Sequence, residues 1–366
     1  MTLPEKLRLR ISTLLWAASL LGLLIAIPVL WDFSRWTLLA LALLALALTA
    51  LPCWWWCRRR QLPLLPRWWR SALATLCLLA VALSAPVYGL VLLTALRPAA
   101  QPQVVLSNGS RSLTFQGMMH IGSTSFYHSV IYDLESALAD GAVIYYEGVR
   151  PDPEGDAWLG QHIGGGNDLN SRYRTLANVC GLHFQSDYFQ PVLADMQAHP
   201  ERHVVADVST LQMKQEYERL LAADPSFAQA MHKRESQSTQ EQTQGDQLAR
   251  FIAWQQRGST EQKNLAGAVC RGVMSLVLNP QHSSTKPDPL DAVTLDYRNR
   301  VLAQTILADR HDKIFITYGA AHLPGLYALL RQADPRWHVV SSKWQRSIDT
   351  PEDIAGALDL TAPRIP

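Results

Sequence analysis

Charged residues are missing from three long stretches of this 366-residue chain: Ile11 to Trp31, Thr37 to Cys57 and Ser71 to Leu96 hold no Asp, Glu, Lys or Arg. Each stretch can cross a hydrocarbon core of about 30 Å at about 1.5 Å per residue. A helix buried in a water-soluble core keeps one polar face, and these keep none. Pro28, Pro52 and Pro86 fall inside the stretches, where neighbouring helices can satisfy the carbonyls that proline frees. Eight of the twelve tryptophans precede residue 70, mostly at the ends of the stretches, as in the aromatic belt of a membrane interface.

Carboxylates are nearly absent from the first part of the chain. Residues 1–97 carry ten Lys and Arg against two Asp and Glu, and residues 98–366 carry 23 against 29, so the net +2 combines +8 with −6. The basic excess therefore belongs to the apolar part. A net-acidic remainder lacks the basic patch that neutralises phosphates, which argues against a nucleic-acid partner. Lys6, Arg8 and Arg10 precede the first stretch, and Arg58, Arg59, Arg60, Arg67 and Arg70 separate the second from the third, whereas the first connection holds only Asp32 and Arg35. Cations are retained on the cytoplasmic side. The expectation is a multi-pass protein of the inner or plasma membrane with a cytoplasmic N-terminus and its main domain periplasmic or extracellular. A signal peptide is the other reading of the first stretch, but two further spans follow it at once.

Cysteine is scarce too: five residues and no CxxC, which leaves no structural zinc pattern. Cys53, Cys57 and Cys77 fall in or beside the apolar stretches. Cys180 and Cys270 could pair in an oxidising compartment, although two unpaired core thiols on helices are the slightly favoured expectation. The glycine run Gly164 to Gly166 follows no strand and precedes no Lys-Ser/Thr, so it is not a phosphate loop.

What is present divides into an anchor (1–97, spans about 11–31, 37–57 and 71–96), a linker (98–103) and one α/β domain (104–366). Val104–Leu106 and Arg111–Gly117 predict a hairpin with Asn108-Gly109 at its tip. An amphipathic helix from Phe126 to Asp140 and a buried strand from Ala142 to Tyr146 follow, making a βαβ unit. A helix from about Leu169 to Cys180, a strand from His203 to Ala206, and helices over 211–278 interrupted by the polar segment Glu235 to Asp246 come next. The last third reads as helix Leu290 to Ala308, strand Lys313 to Tyr318, helix Gly325 to Gln332 and strand Trp337 to Ser341. Its strand–GxxH–helix–strand order matches that of Leu113 to Tyr146, so the expected fold is a mixed sheet built on a duplicated unit.

Two turns carry the chemistry: Gly117-Met118-Met119-His120 and Gly319-Ala320-Ala321-His322. In each, the glycine lets a strand end close to another backbone, and the histidine comes three residues later at the C-terminal edge of the sheet. Glu147 follows the neighbouring strand. Taken singly, either histidine is better explained as a hydrogen-bonded structural residue. Two equivalent turns and a strand-terminal glutamate favour a site. Two imidazoles and a carboxylate would hold a manganese, cobalt or zinc ion and leave positions open for water.

These turns, Tyr146-Glu147, Tyr297-Arg298-Asn299-Arg300 and the run Tyr318 to Gly325 resemble the TraB/PrgY–GumN–Tiki family, over about Leu113 to Val340. The resemblance implies a fold like those of haem-binding ChaN and the erythromycin esterases. It also implies a metal-dependent protease site of His120, Glu147 and His322, with Arg298-Asn299 matching an Arg-Asn pair of the family. In that scheme His120 and His322 bind the metal, and Glu147 is a ligand or the base. Arg298 or Arg300 neutralises an oxyanion, and Asp207 orients a histidine. For the two arginines a helix-surface ion pair, with Asp296 for example, is an equal alternative. His128, His162, His183 and His203 are assigned to surface or packing roles. The expected function is a membrane-anchored metallopeptidase acting on extracytoplasmic peptides or proteins. The alternative is a non-catalytic protein of the same fold that sequesters a peptide or haem.

Overall fold

A computed structural model describes residues 3–162, 169–234, 257–278 and 288–350. The Gly164–Gly166 run and the polar segment Glu235 to Asp246 lie outside them. The chain divides into two compact units, residues 1–96 with 254–273 and residues 97–253 with 274–366.

In the first unit the uncharged stretches become helices α1 (Leu3–Phe33), α2 (Thr37–Arg60) and α3 (Leu64–Leu96), each long and apolar enough to cross a membrane. Small residues bring them together: Ala26, Ala45 and Ala80 are almost wholly buried. The Tyr88 hydroxyl donates to Ile25 O at 2.7 Å and the Trp68 indole to Leu46 O at 3.2 Å. The outward surface is apolar, with Leu14 69 % and Leu51 76 % exposed, the distribution a bilayer rather than water stabilises.

The second unit is an α/β domain around a six-stranded sheet of order β6-β4-β7-β2-β1-β8. Strands β1 (Ala99–Ser107) and β2 (Ser112–Met118) form the expected antiparallel hairpin, with Val104 opposite Phe115. Because β1 starts at Ala99, most of the segment read as linker is strand, paired as far as Ile348 of β8 (His338–Ile348). Strands β4 (Val143–Tyr146), β6 (His203–Val205) and β7 (Lys313–Gly319) run parallel to β2, each next to its neighbour in the order above. A two-residue strand β3 (Ile121–Gly122) pairs separately with β5 (His183–Phe184).

Helices cover both faces. On β7, Ile314, Ile316 and Tyr318 point to one face, where Leu302, Ala303 and Ile306 of one helix and Leu326 and Leu330 of another complete a core. Phe315 points to the other, against Leu134 and Leu138 of α4 (Thr124–Ala139). This alternation follows from the period-two geometry of a strand buried on both sides. Further helices are α5 (Pro153–His162), α6 (Leu169–Cys180), α7 (Gln190–Ala198), α8 (Thr210–Ala223), α9 (Thr260–Val277), α10 (Arg298–Ala308) and α11 (Leu323–Ala333). A Ser209–Gln212 capping box starts α8.

The sheet does not carry the duplication through. From β2 the chain returns as β4, parallel to β7, but from β7 it returns as β8, antiparallel to β1. Cys180 and Cys270 are each in a disulfide, not the unpaired thiols favoured from sequence, while Cys53, Cys57 and Cys77 are free.

Candidate functional site

Register alone gathers the polar residues. Met118 of β2 lies opposite Gly319 of β7, Thr317 opposite Tyr146 of β4, and Tyr146 opposite Val205 of β6. All four parallel strands therefore end along one edge, so Glu147, Asp207 and the Gly319–His322 turn leave the sheet side by side. At Gly117, one residue before the end of β2, a Cβ would stand 2.9 Å from Pro102 O and 3.1 Å from the Ala320 Cβ, which is why glycine stands there.

Arg298 is the hub. It opens α10 directly after a π-helical segment (Ala292–Tyr297), and only 8 % of it is exposed. Its Nε donates to Asp207 Oδ1 at 3.0 Å and its Nη2 to Asp207 Oδ2 at 2.6 Å, a two-pronged pairing. The same Nη2 donates to Glu147 Oε1 at 2.8 Å. The Asp207 side chain is fully buried and also accepts the amides of Val208 at 2.8 Å and Gly148 at 3.1 Å. The other Glu147 oxygen, Oε2, accepts the Gly319 amide at 2.6 Å. Burial alone would lower the guanidinium pKa, but the Asp207 hydrogen bonds and the two carboxylate charges outweigh it and raise it.

His322 sits in the short 3₁₀ turn after β7 and is buried. Its Nδ1 is 2.8 Å from Asn299 Oδ1, and its Nε2 is 3.3 Å from Arg298 Nη1 and 3.8 Å from Glu147 Oε1. Asn299 Oδ1 can only accept and a guanidinium can only donate, so the proton belongs on Nδ1 and Nε2 keeps its lone pair. Burial and the Arg298 charge push the imidazole pKa down to about 4 against the opposing pull of Glu147 and Asp207. Gly325 makes this possible, because a Cβ there would lie 2.4 Å from Asn299 Nδ2.

His120 is not the mirror of His322. It is exposed on the chain between β2 and β3, stacked on Tyr173 with ring centroids 4.3 Å apart, and its Nδ1 is 3.1 Å from the Gln185 amide nitrogen. Desolvation lowers its pKa, Glu147 raises it and Arg298 lowers it, so it feels the charges of the site without touching them. Among the described residues no three His, Cys, Asp or Glu side chains are gathered as a metal cage.

Other expectations change with the contacts. Asp207 holds Arg298 rather than a histidine. Arg298 is no surface residue and pairs with Asp207 and Glu147 instead of Asp296. Arg300 is the surface ion pair, with Glu216 at 2.6 Å, and lies apart from the cluster. His203 packs between Tyr146 OH at 2.6 Å and Asp195 at 2.7 Å, and His162 stacks on Trp158, as packing residues do. Asn299, Gln185 and Tyr173 were not among the site residues expected from sequence. The pair Arg298-Asn299 offered a signal for the first, and nothing local pointed to the other two.

Removing Arg298 strands a fully buried carboxylate, so Arg298→Ala is expected to cost about 3–5 kcal/mol. Arg300→Ala removes a half-exposed partner from Glu216, whose buried carboxylate keeps its two bonds from Arg219, and is expected to cost about 1 kcal/mol or less. Thermal unfolding of the detergent-solubilised variants checks this, and equal losses would contradict the hub. No family model, curated protein or solved structure matches this chain.

Proposed function

We propose that the chain is a membrane-anchored hydrolase that uses a divalent metal ion and acts on extracytoplasmic peptides or proteins. The observation that carries the reading is His322: a buried imidazole whose tautomer is fixed by Asn299 and whose unprotonated Nε2, 3.3 Å from Arg298 Nη1, faces Glu147 Oε1 across 3.8 Å, so that an ion would take the place of the Arg298 contact. A backing acceptor of this kind is what orients metal-binding histidines. The donor set fits manganese, cobalt or zinc, with His322 and Glu147 already facing each other and His120 as the third donor once its ring leaves Gln185. An ion there would supply a Lewis acid and acidify water near neutral pH.

The protein's own groups then have distinct tasks. Asn299 keeps His322 in one tautomer. Gly319 N–H and Arg298 hold Glu147 in place as ligand or base. Arg298, fixed by Asp207, is the donor that can neutralise an oxyanion on a cleaved amide. Arg300 has no part in this, being committed to Glu216. The resemblance to the TraB/PrgY–GumN–Tiki family supports the same assignment. The disulfide-bonded state of Cys180 and Cys270 supports an oxidising compartment for the main domain.

Purified protein is expected to hold one manganese, cobalt or zinc ion per chain by elemental analysis. Both His120→Ala and His322→Ala should lose the ion together with peptide hydrolysis. Wild-type protein with no metal, or with the absorbance of haem, would favour the sequestering alternative. Orientation is tested with a membrane-impermeant thiol reagent on intact cells. Ser110→Cys at the hairpin tip should react above the parent background and Arg59→Cys should not; the reverse pattern would place the domain inside.

A further inference from the structure

Arg298 has little hydrogen left to give. A guanidinium carries five N–H groups. Those on Nε and Nη2 go to both oxygens of Asp207 and to Glu147 Oε1, and Nη1 lies 3.4 Å from Thr294 O and 3.3 Å from His322 Nε2. An ion on His322 would release one N–H, a single donor for an oxyanion that hydrolytic centres hold with two. The backbone amides alongside are taken as well, Gly319 N–H by Glu147 and the N–H groups of Gly148 and Val208 by Asp207. The site has room for a second side-chain donor.

Tyr173 of α6 is half-buried beside it. Its ring stacks on His120 with centroids 4.3 Å apart and planes 27° apart, and it packs against the cluster of Ile121, Ala177 and Phe184 that β3 and β5 bring together. The Glu147 charge acts on Arg298, His322, Tyr318, His120 and Tyr173. The first four are committed: Arg298 and His322 as described, Tyr318 OH to Ala206 O at 2.7 Å, and His120 Nδ1 to Gln185 at 3.1 Å. Among the described residues the Tyr173 hydroxyl has no hydrogen-bond partner. Burial and Glu147 raise its pKa against the pull of Arg172, so near neutral pH it is a phenol with an O–H to give.

We propose that Tyr173 is a further catalytic residue: its hydroxyl donates, together with the N–H released by Arg298, to the oxyanion formed on a cleaved amide. In that step the oxygen of water bonds to the carbonyl carbon, a water proton passes to Glu147, and the carbonyl π pair moves onto oxygen between the two donors. When the pair returns, the C–N bond breaks and the amine leaves with the proton from Glu147. Tyr173 keeps its own proton throughout. Its hydrogen bond strengthens as charge develops, so its contribution falls on the transition state rather than on substrate binding. The inference rests on the proposed hydrolysis with Glu147 as base. A tyrosine that merely supported the His120 ring would need no hydroxyl, which separates the two roles.

The test uses full-length, detergent-solubilised protein loaded with manganese and the best-cleaved member of a quenched fluorogenic peptide library. Tyr173→Phe keeps the ring on His120 and removes only the hydroxyl. It should lower kcat about a hundredfold while KM and the manganese Kd stay within about twofold. A phosphinic peptide of the same sequence, whose tetrahedral P–O⁻ copies the oxyanion, should bind more weakly by a similar factor in calorimetry. An unchanged kcat in Tyr173→Phe, with His322→Ala inactive, would overturn this inference and leave the hydrolase reading standing. A raised KM at constant kcat would make Tyr173 a substrate contact, and loss of manganese together with activity would make it a support for His120; either overturns its role as oxyanion donor. Wild-type protein that cleaves no member of the library would overturn both.

Discussion

A guanidinium withdrawn from water must be paid for on every side, and the way Arg298 is compensated fixes the domain around it. Asp207 takes two of its donors and Glu147 shares one, at 2.6–3.0 Å. A buried pair of this kind adds little net stability over an apolar replacement, but breaking it strands a charge. Any packing that moves β4, β6 or α10 relative to the others exposes that penalty. The ends of the strands are therefore held in one arrangement by electrostatics as well as by the apolar core of Leu302, Ile306, Ile316 and Leu326.

The same cation sets the chemistry of its neighbour. With burial, Nη1 3.3 Å from His322 Nε2 and Asn299 on the far side of the ring, the imidazole is kept neutral in one tautomer, its Nε2 lone pair turned to Arg298. Glu147 is clamped between Arg298 and the Gly319 amide, so acid and imidazole face each other without either being free to swing away. Such preorganisation, with rotamers locked by a surrounding set of hydrogen bonds, is what the proposed hydrolysis would require. His120 is exposed and rests on Tyr173 and Gln185.

Much of this was legible in the sequence, for reasons that are local. The uncharged stretches, the Asn108-Gly109 hairpin and the strand from Ala142 to Tyr146 announce themselves through hydropathy, turn chemistry and periodicity. His322, Glu147 and Asp207 were each legible as strand-terminal, but the expected gathering was of His322 and Glu147 with His120, and it is Asp207 that leaves the sheet beside them. What the sequence could not separate was Arg298 from Arg300: two helix positions about 200° apart, of which only packing decides which turns inward. The Asn299–His322 bond, the Tyr173 stack on His120 and the return of β8 to β1 depend on contacts between segments distant along the chain. The apparent equivalence of the two GxxH turns misled for the same reason. Identical spacing precedes a buried 3₁₀ turn in one case and an exposed link to β3 in the other.

The central claim is that burial and the Arg298 charge hold His322 neutral, with its proton on Nδ1, and ¹⁵N NMR of the metal-free protein across pH tests it most directly. The expected spectrum has a protonated Nδ1 and a bare Nε2 at neutral pH, with protonation only as the pH approaches about 4. Because the folded pKa lies below the unfolded one, the stability this residue contributes is complete above pH 6.5 and is lost as the pH falls towards 4. Protonation with a midpoint near 6.5, or a proton on Nε2 at neutral pH, would contradict the account.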